Sequence, residues 1–184
     1  MITEHALLYL GARLFAAGAN LAAVAIFTRL AASDVYGGYL LIFSWAFVLY
    51  GFLGQWLGAA FFAVYAQETS TAQIATLARL VVGALLAAGA VILVAALVGF
   101  TPWPVAGGLF LVVSSLTLFI TVMEAERTRL AARTVSIILV LRAALVVTFG
   151  AVTLLAGGGA LALAVALATA NIAAALPGLV RLAP

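Results

Sequence analysis

Two arginines, Arg13 and Arg142, stand inside long apolar runs, "LLYLGARLFAAGANLAAVAIF" and "TVSIILVLRAALVVTFGAVTLL". A guanidinium placed in hydrocarbon has two outlets. It snorkels back to the headgroups on its long stem, or it stays buried against water, polar amides or an anion. The five acids, Glu4, Asp34, Glu68, Glu124 and Glu126, all fall at helix ends or in polar breaks, so none offers an intramembrane counter-charge. A buried arginine would then take its partner from a ligand, and guanidinium grips phosphate through two parallel hydrogen bonds. Asn20 lies two turns from Arg13 on nearly the same helix face, and Gln55 sits in a Gly-rich apolar segment. Taken singly each amide suits a hydrogen bond between helices, and together with the arginines both suit the lining of a cavity for an anionic substrate.

These residues need elements to hold them in a membrane. Of the 184 residues, 68% are hydrophobic and 7% charged, and the mean hydropathy of +1.36 leaves too little polar surface for a soluble domain. Six apolar runs follow one another at about 6–28, 37–63, 77–99, 105–123, 134–156 and 160–180. They are continuous and lack the alternation of barrel strands, so the expected fold is an all-α integral membrane protein of six transmembrane helices, a single lobe over 1–184. "MITEH" has no basic n-region, and the first run is expected to be a retained span.

Insertion energetics do not decide what Arg142 does. It costs roughly 2.5–3.5 kcal/mol near a helix centre, whereas each large apolar residue returns roughly 0.3–0.6. Thirteen Val, Ile, Leu or Phe between 135 and 155 outweigh it. Counted from the starts of their apolar runs, Arg13 and Arg142 both fall roughly 10 to 12 Å along odd-numbered helices, which puts them at similar depth.

The breaks read "TRLAASDVYG", "YAQETSTAQIAT", "TPWP", "EAERTRLAAR" and "AGGG", none long enough for a soluble domain. With both termini inside, Arg79, Arg127, Arg129, Arg133 and Arg181 lie on the cytoplasmic side and only Arg29 outside, which the positive-inside rule favours. The pairs Glu124/Arg127 and Glu126/Arg129 have i, i+3 spacing and read as a topology anchor beside anionic lipid. Gly11 with Gly18, and Gly54 with Gly58, have the spacing of close helix packing and are expected to pack within the chain. The chain has no cysteine, and its one histidine, His5, is at the terminus, so no cofactor or metal is expected. Scattered arginines make no basic face, so nucleic acid is not an expected partner. No paired carboxylates or nucleophile constellation mark an enzyme.

The stretch "RLAASDVYGGYLLIFSWAFVL", 29–49, resembles the link between the first two helices of polysaccharide (O-antigen type) flippases in the multidrug/oligosaccharidyl-lipid/polysaccharide exporter superfamily. Arg29, Leu30, Asp34, Tyr36, Gly37 and Tyr39 carry the likeness. Ser33 stands where members often have proline, and "AAFFAVYAQ" lacks an arginine many carry there. The resemblance implies the N-terminal lobe of a two-lobe fold, with a second six-helix lobe in the same longer chain or in a second subunit. It implies flipping of a polyprenyl-pyrophosphate-linked oligosaccharide from the inner to the outer leaflet of the cell inner membrane. On that reading Arg13 and Arg142 would meet the diphosphate or sugar acids while Asn20 and Gln55 line the cavity, roles drawn from depth and chemistry. A drug or small-molecule exporter of the same superfamily, or a non-transporting membrane subunit, stays open beside it.

Overall fold

The computed structural model describes residues 2–64 and 71–182, with side chains described for 7–58, 60 and 73–182. The described residues form helices α1 (Ile2–Leu30), α2 (Ser33–Leu53), α3 (Gln55–Val64), α4 (Thr71–Leu97), α5 (Trp103–Thr128), α6 (Ala132–Leu155) and α7 (Ala160–Leu182). All but the ten-residue α3 are long and apolar enough to cross a bilayer, the architecture of a multi-pass helical membrane protein.

The helix boundaries correct the expected breaks in three places. The second run is interrupted at Gly54, whose N–H bonds Tyr50 O at 2.7 Å while Leu57 N resumes the ladder on Gly54 O at 3.1 Å. Only glycine fits there, because an added Cβ would lie 2.9 Å from the Tyr50 ring. The interruption does not turn the chain away: Ile42 meets Gly108 and Gly58 meets Glu124, both at an offset of 66, so α3 continues the course of α2 along α5. "EAERTRLAAR" is mostly helix, with only 129–131 outside α5 and α6, since i, i+3 ion pairs support a helix at a membrane surface. Of "YAQETSTAQIAT", 65–70, including Glu68, lie outside the described residues, and Thr71 onward is already helical.

Three helices stop in the same way. After α4 and α6, Gly99 and Gly157 take φ +76°. Each closes a paired cap, in which Phe100 N bonds Ala95 O and Gly158 N bonds Thr153 O, both at 2.9 Å. After α5 the same pair of bonds, Ala131 N to Glu126 O at 3.1 Å and Leu130 N to Arg127 O at 2.9 Å, is built around Leu130 at φ 54°.

Helices α5 and α7 run parallel as the most buried pair. Their backbones close on each other at Gly108 and Gly178, where an added Cβ would come within 2.7 Å of Leu161 and 2.4 Å of Val122. Helix α6 lies antiparallel beside them, with α1 packed on α6, α2 and α3 on α5, and α4 on the outer side of α5. Phe27 sits directly on the α6 backbone, since a Cβ on Gly150 would be 2.1 Å from its ring. Although only Ala31 and Ala32 separate α1 from α2, the two helices barely touch beyond the edge-to-face contact of Phe27 and Tyr39 at 6.5 Å. Gly58 packs within the chain, 3.2 Å from Glu124 through an added Cβ, but Gly11 and Gly18 face open space. The expected intramolecular role of that first pair is therefore wrong: α1 presents another face to α6.

At one end of the bundle, Glu126 is fully buried beneath Arg129 and Arg181, at 3.8 and 3.9 Å. Arg129 also donates to the Arg181 carbonyl at 3.1 Å, and Arg181 donates to Thr134 Oγ1. The expected anchor is thus also a clamp that ties the ends of α5, α6 and α7.

Candidate functional site

Arg142 enters α6 ten residues after its start, about 15 Å along the helix and half the thickness of a hydrocarbon core. Its Nε donates to Asn171 Oδ1 at 2.7 Å. Asn171, fully buried on α7, donates through Nδ2 to Ser115 Oγ on α5 at 3.2 Å, and Ser115 Oγ donates to Val112 O at 3.0 Å. One polar chain therefore crosses three helices, each link satisfying a group that lipid would leave unpaired. The guanidinium carbon stands 4.9 Å over the Phe119 ring, a cation–π contact beneath the charge. Among the described residues no acid lies within ion-pairing distance of Arg142, and its two Nη groups carry no hydrogen bond.

Arg13 is placed differently. It is exposed, and its Nε turns back one helical turn to donate to the Tyr9 hydroxyl at 3.0 Å, with its charge 4.9 Å over the Tyr9 ring. The pairing of Phe27 with Gly150 puts α1 and α6 in parallel register at an offset of 123. Arg142 is then level with Ala19, six residues or about 9 Å deeper than Arg13. The similar depth expected of the two arginines does not hold, because α1 begins well before α6 at that end of the bundle.

The Tyr9 hydroxyl also accepts from Arg127 Nη2 at 2.8 Å, and Arg127 Nη1 is paired with Glu124. These groups line a cleft of about 690 Å³ between α1, α2, α3 and α5, together with Phe47, Tyr50, Gln55, Gly58 and Ile120. Five rings along α2, Tyr36, Tyr39, Phe43, Phe47 and Tyr50, touch in sequence at 6.1 to 6.5 Å and deliver the last two into this cleft. Gln55 therefore shares a site with Tyr9, the residue on which Arg13 rests. Asn20 stays on the exposed surface of α1, away from both the cleft and Asn171.

Asn171, Ser115 and Tyr9 are functional candidates that sequence reasoning passed over. A signal for Asn171 was present, because it is the sole amide in an otherwise small and apolar sixth span. Ser115 and Tyr9 carry no such mark; a serine in an apolar helix and a tyrosine near a helix end are both commonplace in membranes.

No protein-family model matches this chain, nor does any curated protein or solved structure. Its function is read from the site itself.

Proposed function

We propose that the chain is one lobe of a membrane transporter that carries a polyprenyl-pyrophosphate-linked oligosaccharide from the inner to the outer leaflet, for cell-surface polysaccharide synthesis. The observation that carries this reading is Arg142: a guanidinium about 15 Å along its spanning helix, held by a neutral amide, with its two Nη groups paired to no acid among the described residues. An ionisable group kept inside a membrane marks a substrate path by default, and a fork-shaped cation suits a diphosphate. The positive-inside count favours both termini in the cytoplasm, and in that orientation the Tyr9–Arg127 cleft would open on the inner side of the cell inner membrane, where such a substrate is made. A second six-helix lobe, continuous with this chain or supplied by another subunit, encloses the other half of the path. The flippase-like link at 29–49 supports the same reading.

The test is made in the complete transporter. Arg142→Gln is expected to lower lipid-linked glycan at the outer leaflet at least about tenfold at normal protein level, the scale of losing a desolvated charge contact. Arg142→Lys, which keeps the charge but not the fork, is expected to recover part of it. Full export by Arg142→Gln would sink the anion contact. That outcome favours a second reading, a non-transporting membrane subunit, for which the Asn171 bond and the Phe119 contact already describe a purely structural arginine.

A further inference from the structure

The cleft at the inner end has a chemistry unlike that of Arg142. Among its lining residues Arg127 is paired with Glu124, while Arg13 reaches the Tyr9 oxygen from outside the lining. The Tyr9 oxygen accepts from Arg127 at 2.8 Å and from Arg13 at 3.0 Å, which occupies both of its lone pairs. Its own proton is not used by either bond and remains available as a donor. Glu124 is acceptor-only and uses one oxygen on Arg127, leaving the other for a hydroxyl. Gln55, exposed at the rim, adds one amide donor set and one carbonyl acceptor. Opposite these polar groups stands Phe47, 55% exposed and braced by Tyr50 at a ring separation of 6.5 Å.

We propose that this cleft, formed by Tyr9, Phe47, Gln55, Glu124 and Arg127, is a binding site for a neutral pyranose ring. Each sugar hydroxyl is both donor and acceptor, which matches a wall offering a tyrosine proton, a carboxylate oxygen and an amide. The apolar face of the ring, made of C–H groups, lies on Phe47. A phosphate fits poorly, because it brings only acceptor oxygens and would face the Glu124 carboxylate. The volume of about 690 Å³ falls within the usual range for small-molecule sites. The inference rests on the transport reading only in assigning that sugar to the carried glycan; the binding itself does not depend on it.

The test uses the full chain in nanodiscs and saturation-transfer NMR with a neutral N-acetylhexosamine disaccharide, alongside the corresponding sugar-1-phosphate. The disaccharide is expected to bind, with transfer concentrated on one ring face and affinity unchanged between about 50 and 500 mM salt. Phe47→Leu and Gln55→Ala, both at exposed positions that spare the fold, are each expected to weaken it about tenfold. Arg142→Gln leaves disaccharide binding intact. Absence of binding to the wild-type chain, or binding by the phosphate alone that falls with salt, would overturn the proposal. If Arg142-dependent export persists beside such a result, the transport reading stands without the sugar site. If the disaccharide binds and no variant alters export, the sugar site stands and the transport reading falls.

Discussion

Asn171 is the residue on which Arg142 depends, and its removal separates a structural contribution from a functional one. Asn171→Ala is expected to destabilise the protein by about 1 to 2 kcal/mol, because it strands the Arg142 Nε in an apolar bundle, whereas Ser115 keeps its bond to Val112 O. The double change Arg142→Met with Asn171→Leu, which removes both partners and keeps the volume, is expected to restore most of that loss. Unfolding in detergent reads both, and a double variant no more stable than the single would contradict the pairing. At Leu130 the backbone pays for a side chain in the left-handed region. Leu130→Gly is expected to raise stability by up to about 1 kcal/mol, since its 84% exposed side chain contributes little packing. The sequence showed where Arg142 lies because a charge in an apolar run is conspicuous. It did not show Asn171 as its partner, because the pairing spans 29 residues and depends on how α6 and α7 are rotated.

At the scale of the element, Gly150 is what lets α1 lie against α6. Gly150→Val is expected to cost about 1 to 3 kcal/mol by driving a side chain into Phe27, and Phe27→Leu in the same protein is expected to return part of it. Thermal unfolding of the two variants checks this; if the pair is as weak as the single, the contact is not the cause. The number of spanning helices and their approximate ends were legible in advance, since apolar runs of spanning length report themselves. The break at Gly54 was not, because it falls inside an apolar run with no change of polarity, and the close approach of the Tyr50 ring to Gly54 is visible only in the fold. The helical character of Glu124–Thr128 was hidden for the opposite reason: charged residues that resemble a loop in composition are ion-paired along one helix face. That helix is what carries Glu124 and Arg127 into the cleft.

For the whole molecule, the orientation is a prediction of its own. A reporter that is active only outside the cytoplasm, inserted in the "TPWP" turn, is expected to be active, whereas a cytoplasmic fluorescent protein fused after Pro184 is expected to fluoresce. The reverse pattern would move the Tyr9–Arg127 cleft to the outer face and remove the cytoplasmic entry. Composition alone revealed the membrane class, but the order in which the helices pack was not readable from it. Six apolar helices share much the same surface, and which of them become neighbours is decided by a few close approaches, Gly108, Gly150 and Gly178 among them.

The separation of α1 from α2 also has a consequence in time. A ribosome releases α1 first, yet the surface that receives it belongs to α6, made more than a hundred residues later. Until α6 emerges α1 waits in lipid without its main packing partner, and the bundle closes by bringing an earlier segment onto a much later one. A nascent chain stalled before Ala132 would hold α1 in the membrane but leave it undocked, so assembly of this bundle is a late event set by the arrival of α6.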